Sequence, residues 1–342
     1  MDGAGSGPAG RVRLTDVARR AGVATSTAST VLTGRGAKAR ISDATQERVR
    51  AAAAELGYRP NLASVSLRSR SSRMVGLVSD TIAAEPYAGE MVRGASASAV
   101  THGRLLVVAE SDGRRDVEDD LVNGMIDRQV DGLIYGCLAT RTVELSEGVR
   151  SLPVVLLNCL TDPLPGPAVV PDEVGAGREA ARGLLDAGHR GGIHVVGRRH
   201  DEGIAAEQRL SGVRAALDAA GTAPAGLVDC TWTPAGGRAA VAALLERTRP
   251  AALVCLNDRI AFGAYQALAE AGLRVPGDVS VVSFDDSVVA DWLRPGLSSV
   301  ALPHHEMGRL ATDLLIKGDR DPVVHRVGMV LRERDSIGPP AG

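Results

Sequence analysis

From about residue 73 onward, short apolar runs alternate with amphipathic stretches, and this alternation restricts the fold more than any other feature. The apolar runs cover residues 74–79, 105–109, 132–135, 154–157, 193–196, 252–256 and 279–283. Between them lie segments with helical spacing, at 89–100, 117–129, 173–187, 239–245 and 260–271. Repeated strand–helix units imply parallel sheets with helices on both faces. Seven or more strands over roughly 260 residues suit two lobes rather than one sheet.

The whole chain has 342 residues. A single core stops growing at roughly 250–300 residues, so a small domain beside a larger one is expected. No run approaches the ~18–20 apolar residues of a membrane span, and no membrane partner is expected. Residues 1–10 are rich in Gly, Ala, Ser and Pro and lack the apolar core of a signal peptide, so they read as a disordered tail on a cytoplasmic protein. Cys137, Cys159, Cys230 and Cys255 form no C-x-x-C pair, and each sits in or beside an apolar run. Buried, reduced thiols are expected, with neither disulfides nor zinc. The net charge of −2 conceals an asymmetry: residues 1–72 carry 12 Lys/Arg against 5 Asp/Glu, and the remainder 27 against 36. A basic head on an acidic body suits a polyanionic partner, although a solvated basic face would look the same.

That head reads as three short helices. The first spans 14–21, with Thr15 as candidate N-cap and Gly22 as its stop; the second spans 24–32; the third starts at the cap Ser42 and ends before Gly57. A glycine-containing turn between two short helices is the pattern of a helix-turn-helix. The second helix places Ala24, Ala28, Val31 and Leu32 on one side and Thr25, Ser26, Ser29 and Thr30 on the other. Small hydroxyls can reach phosphates and base edges in a major groove. A small helical bundle with a polar outer face is the alternative.

The runs Leu14-Thr15-Asp16-Val17-Ala18-Arg19-Arg20-Ala21-Gly22-Val23, Ser26-Thr27-Ala28-Ser29, Val31-Leu32 and Glu55-Leu56-Gly57-Tyr58-Arg59-Pro60-Asn61 resemble the headpiece of the lactose/galactose repressor (LacI/GalR) family, and the resemblance extends over about 12–337. It implies a helix-turn-helix domain at 11–59, a hinge at 60–72 and an effector-binding, dimerising core at 73–338. Thr25, Ser26 and Thr30 match base-reading positions; Thr27, Ser29 and Thr33 match phosphate contacts. Three positions depart from the family pattern. Ala24 stands where Ser is usual, Thr30 where Arg commonly reads guanine, and Thr33 where Asn is common. The hinge segment could start as a helix too short to persist alone in water. In the family, paired hinge helices enter the minor groove; Leu67 matches the inserted leucine and Ser64 the small residue beside it, with Val65 where Arg or Gln is frequent. A linker residue packed on the core is the alternative for Leu67. A hinge ordered only when two copies are close would be an order–disorder switch on DNA affinity.

For the body, the resemblance implies a periplasmic-binding-protein-like core of two α/β lobes with a ligand between them. Chain crossings are expected near 157–171, near Asp285 and near Pro303. Ligands bind at strand ends in such sheets. Asn158, Asn257 and Asp285 follow apolar runs, and Arg209 begins a helical turn. Each has an ordinary structural alternative: a cap for Asn257, a turn for Asp285, a solvated position for Arg209. By resemblance, Arg209, Asn257 and Asp285 line an effector pocket, with Trp232, Asn158 and Tyr87 as further members. The first lobe departs from its relatives at 82–90, where Glu85 and Ala88 replace an Asn and an aromatic residue; Leu302 and His304 also replace residues of some sugar sensors.

No dinucleotide fingerprint, P-loop, G-x-S-x-G or H-E-x-x-H motif is present; His304-His305-Glu306 reads as the start of a helix at 307–316. No catalytic residues, cofactor or metal are expected. The expected function is a ligand-responsive, DNA-binding transcription repressor, with a palindromic operator and a carbohydrate as partners, acting as a homodimer or tetramer. A sugar-binding protein or an enzyme on the same two-lobed fold is the alternative.

Overall fold

The computed structural model describes residues 12–58, 71–82, 89–198 and 204–341. They divide into two units between Arg73 and Met74. Within the first unit, α1 (Leu14–Ala21), α2 (Thr25–Leu32) and α3 (Asp43–Glu55) enclose one small core. Val17, Ala18 and Ala21 meet Ala28 and Val31 from α2 and Val49, Ala52 and Ala53 from α3. Small residues dominate because helices this short must approach closely to exclude water. Thr15 is not the cap of α1: Arg13 holds that position, and Asp16 accepts its backbone N–H at 2.9 Å. Gly22 ends α1 in the left-handed conformation, at φ +65°. Ser42 caps α3 through the Thr45 N–H.

The second unit contains two six-stranded sheets. The first lobe is built from β1 (Met74–Ser79), β2 (Leu105–Glu110), β3 (Leu133–Thr142), β4 (Val154–Leu160), β5 (Ala168–Pro171) and β11 (Val324–Val327), in the order β11-β5-β4-β3-β1-β2. All its pairings are parallel. The second lobe orders β12 (Val330–Arg332), β10 (Ser298–Ala301), β9 (Ser280–Asp285), β8 (Ala252–Cys255), β6 (Ile193–Val196) and β7 (Gly226–Val228) across its sheet, with only β12 antiparallel. Each expected apolar run is a strand. The strands the sequence reading missed are three or four residues long; β10, β11 and β12 are also partly polar, and β5 and β7 are apolar but too short to stand out as runs.

The helices are α4 (Gly89–Thr101), α5 (Arg115–Asp127), α6 (Glu147–Arg150), α7 (Glu173–Asp186), α8 (Ile204–Ala219), α9 (Pro234–Leu245), α10 (Asp258–Glu270), α11 (Val288–Trp292) and α12 (His304–Lys317). The last starts at His304, three residues earlier than the sequence suggested. The chain passes between lobes at Pro171–Glu173, at Leu302–Pro303 and at Gly328. No crossing falls at Asp285, contrary to the expectation. β9 and β10 pair in parallel within one sheet, with α11 connecting them. Cys137, Cys159 and Cys255 are buried thiols and Cys230 is half-buried; none of the four is in a disulfide. Among the described residues, no helix is long and apolar enough to cross a membrane.

Three helix pairs approach backbone to backbone through facing glycines. A methyl group at Gly94 would overlap the His305 carbonyl, and one at Gly308 the Met91 carbonyl, which locks α4 against α12. Gly237 and Gly263 stand in the same relation between α9 and α10, as do Gly177 and Gly212 between α7 and α8. In the last pair the blocking atoms belong to Arg209 and Val174. Forcing extra volume into such a contact displaces packed elements. Gly212→Ala is therefore expected to destabilise the core by about 1–3 kcal/mol. Gly191→Ala, which meets open space, should stay within about 0.5 kcal/mol of the parent. Thermal melting of both variants checks the contrast.

Candidate functional site

In the first unit, α2 presents its hydroxyl side chains outward because Ala28 and Val31 are drawn into the core. Thr25 and Ser26 are exposed, while Thr27, Ser29, Thr30 and Thr33 are half-buried. Ser26, Ser29 and Thr30 share a concavity of about 410 Å³ with Arg35, Lys38 and Ala39 from the loop that follows. Thr25, Thr27 and Thr33 lie outside its lining. Thr30 donates its hydroxyl to the Ser26 carbonyl at 2.8 Å, and Thr33 does the same to Ser29. The sequence reading did not single out Arg35 and Lys38; their only signal was positive charge in a loop. Ser64 and Leu67 lie outside the described residues, as does Tyr87 of the cleft set.

In the second unit, the carboxyl ends of the strands from both lobes converge on a chamber of about 160 Å³. Leu138, Ala139, Thr140 and Asn158 form its floor from the first lobe. Glu173, Arg209, Trp232, Asn257, Arg259 and Asp285 line the second-lobe side, with Leu302 and His304 at the crossing. A neighbouring space of about 660 Å³ shares Arg259, Asp285, Leu302 and His304, and adds Glu90 and Arg93 of α4. All the described residues assigned to the cleft from sequence therefore line one chamber. Thr140, Glu173 and Arg259 were missed; an acid in a helical first turn, such as Glu173 beside the cap Asp172, resembles a dipole partner in sequence.

Arg209 sits within α8 rather than at its start, and it is 2 % exposed. Its Nε and Nη2 donate to the two Glu173 carboxylate oxygens at 2.6 and 3.1 Å. Nη1 donates to the Leu256 carbonyl at 2.5 Å and reaches Asp285 at 3.4 Å. The rings of Phe284 and Trp232 flank it, 4.8 and 5.6 Å from Cζ. Of five N–H groups, one Nη2 hydrogen remains for a ligand. Arg209 thus orients Asp285 more than it offers donors of its own.

Asn158 is similarly committed. Its φ is +58°, its Nδ2 donates to the Cys137 and Leu138 carbonyls, and its Oδ1 accepts from Thr140. It ties the irregular stretch of β3 to β4. Asn257 caps α10, as its structural alternative foresaw: Oδ1 accepts the Ile260 N–H at 2.8 Å. The cap uses only the oxygen and leaves the Nδ2 group for a ligand acceptor. The Trp232 indole N–H donates to the Gly197 carbonyl at 2.8 Å, which fixes the ring in the wall.

Two carboxyls here behave differently. Asp258 is buried, and it accepts hydrogen bonds from Ser283, Ser287 and Ser299 hydroxyls and the Ser287 N–H. Burial raises its pKa, and those bonds oppose the rise. Asp285 has no such cradle. Burial pushes it up to about 7, against the pull of Arg209 and with the push of Asp258 and Glu173. Its side chain keeps 17 % of its surface open, toward the chamber. Near neutrality this carboxyl can accept or donate a hydrogen bond.

A helix-turn-helix with a hydroxyl-bearing second helix and a two-lobed α/β core with a polar cleft together define a ligand-sensing DNA-binding regulator. Comparison with known proteins agrees. Residues 13–61 match the family of bacterial regulatory proteins of lacI type, and residues 72–326 match the periplasmic binding proteins and sugar-binding domain of the LacI family. The ribose operon repressor of Haemophilus influenzae is 32% identical over 312 residues, 90% of this chain and 92% of that protein. The transcriptional regulator AscG of Escherichia coli is 33% identical, over 95% of this chain and 98% of its own length. The crystal structure of the lac repressor dimer bound to operator and an anti-inducer superimposes with a TM-score of 0.76 at 25% identity, covering 95% of this chain and 99% of that one. The chain belongs to the LacI family, whose members are DNA-binding transcriptional repressors with a sugar-binding domain.

The raised pKa of Asp285 has a consequence for stability. Its folded form holds a proton that the unfolded chain, at 3.8, has lost. The associated stability is complete below about pH 4 and disappears as pH rises through about 7. Asp285→Asn should therefore gain at least ~2 °C in Tm relative to the parent between about pH 5 and pH 8, whatever its constant offset. Parallel pH–Tm curves would contradict the shift.

Proposed function

We propose that this regulator is a homodimeric repressor that binds a palindromic operator and changes its operator affinity when a carbohydrate occupies the inter-lobe cleft. The observation that carries this reading is the composition of the chamber: residues of both lobes line it, and three short crossings connect those lobes. A ligand held there has different contacts in open and closed arrangements, and such a difference is what shifts a two-state equilibrium. Asn257, Asp285 and the last Arg209 hydrogen would bond ring hydroxyls. Trp232 supplies an aromatic wall and Asn158 shapes the floor, and Tyr87, outside the described residues, is a further candidate by the family resemblance. Relatives support the ligand class: among them are ribose operon repressors and a CelR–cellobiose complex.

Dimerisation is supported by exposed apolar side chains on both lobes. Val100, Leu105 and Val108 lie on α4 and the edge strand β2 or beside them, and Phe262, Val288 and the 75 % exposed Trp292 lie on α10 and α11. A solvent-facing tryptophan among such neighbours suits a protein surface. On DNA, Thr25, Ser26 and Thr30 would face base edges, and Thr27, Ser29 and Thr33 the phosphates. The hinge at 60–72 would couple the two halves, with Leu67 wedged into the minor groove beside Ser64 and ordered only when both copies are close. The protein acts without catalysis, in the cytoplasm where its operator is.

Operators enriched from random duplexes test the dimer. Two inverted half-sites should bind at least ~100-fold more tightly than one in a gel shift, and equal affinity would contradict the proposal. For the cleft, a thermal-shift panel of mono- and disaccharides, including ribose and cellobiose, should yield a stabilising ligand; at 100 times its Kd the gain is ~2.7 kcal/mol. Asp285→Ala should keep operator affinity within a few-fold and lose the response to that sugar. A response of unchanged size would remove Asp285 from the site.

A further inference from the structure

We propose that Arg35, on the loop after α2, reads a guanine edge in the major groove and is the main base-discriminating residue of the headpiece. The inference rests on the DNA-binding role of the α2 face and deepens it.

The exposed side of α2 carries only hydroxyls. Each makes single hydrogen bonds, whereas bidentate readout of a base pair comes from Arg, Lys, Asn or Gln. No such residue occurs between Thr25 and Leu32. Thr30 is limited further, because its proton goes to the Ser26 carbonyl and leaves an oxygen that accepts only. It therefore cannot donate to the N7 and O6 acceptors of guanine.

Arg35 stands on the wall of the same concavity as Ser26, Ser29 and Thr30. Its backbone N–H donates to the Thr30 carbonyl at 3.0 Å, and its Nε approaches the Thr33 hydroxyl at 3.4 Å. The guanidinium is therefore held beside the end of α2. The loop is braced from below. Gly36 lies against the buried Gln46, 2.7 Å from where a Cβ would stand, and Gln46 donates to the Ile41 carbonyl at 2.8 Å. Ala39 and Ile41 donate back to the carbonyls of Arg35 and Gly36 at 2.9 and 3.0 Å, which closes the turn.

Charge pairing separates Arg35 from three of the other headpiece arginines, and its place on the concavity separates it from Arg13, Arg40 and Arg48. Arg19, Arg20 and Arg50 pair with Asp16, Glu55 and Glu47. Among the described residues, no carboxylate pairs with Arg35 or Lys38. An unpaired, planar, five-donor group on a rigid loop beside the reading face suits a fork onto guanine. Lys38, on the same wall, has the chemistry of a point-charge phosphate contact.

The test uses the full chain. Operators are enriched from random duplexes with the parent, and binding is compared at one fixed salt concentration with Arg35→Ala and Arg35→Lys, after thermal melting shows both folded. The parent should select a guanine at one symmetric position of each half-site. Arg35→Ala should bind that operator ~10- to 100-fold more weakly and lose the preference at that position alone. 7-Deazaguanine there should weaken the parent but not Arg35→Ala. Arg35→Lys keeps the charge and can still donate to guanine N7 and O6, so it should keep part of the preference that Arg35→Ala loses, whereas a phosphate contact would leave the preference intact in both. Retained guanine preference in both variants, or an equal loss on every duplex, overturns the assignment of Arg35. A parent that enriches no duplex overturns the DNA-binding reading beneath it.

Discussion

The Arg209 guanidinium is enclosed by protein, and four contacts hold it: both oxygens of Glu173, the Leu256 carbonyl and Asp285. Arg209 and these partners come from four different segments: α8 carries Arg209, and the partners lie at the start of α7 just after the first crossing, at the end of β8 and at the end of β9. A buried cation left without its anion would cost several kcal/mol, so these segments assemble together or not at all. The cleft is the space that remains beside this assembly. Asp285 is aimed into it by Arg209, and the rings of Trp232 and Phe284 lie against the guanidinium.

That ion pair depends on an equally specific backbone contact. Gly177 of α7 lies against the Arg209 carbonyl, and Gly212 of α8 against the Val174 carbonyl. Only without a Cβ at these positions do the helices come close enough for Glu173 to fork onto Arg209. The same device closes α4 on α12 and α9 on α10. Each lobe thus uses glycine pairs to set its helices, and in the second lobe the setting decides the electrostatics of the site.

Much of this was legible beforehand. The strand residues 154–157 and 252–255 appeared as apolar runs, because central parallel strands are covered on both faces and leave no polar residue to interrupt them. The short partly polar strands, such as 298–301, were not legible. Their serines are buried because Asp258 and Ser336 supply partners from elsewhere in the chain. The crossing that the family resemblance implied near Asp285 was wrong, because α11 returns the chain to the same sheet as β10. In the headpiece, three helices could be read from periodicity, while the cap of α1 could not, since Arg13 acts there only through its backbone N–H.

The sequence by itself determined the kind of molecule: three short helices with small inward residues, then strand–helix units with polar residues at the strand ends. Those patterns are local, and local periodicity is what a sequence displays. Tertiary structure alone decided what the polar residues do. Asn158 and Arg209 were both read as ligand contacts, and folding commits most of their hydrogen-bonding capacity to the protein. Asn257 keeps one amide group, Asp285 acquires a raised pKa, and Arg35 moves beside a helix that has no bidentate reader. Each outcome depends on groups distant in sequence. Burial, pairing and dielectric are properties of a neighbourhood, and the neighbourhood exists only once the chain has folded.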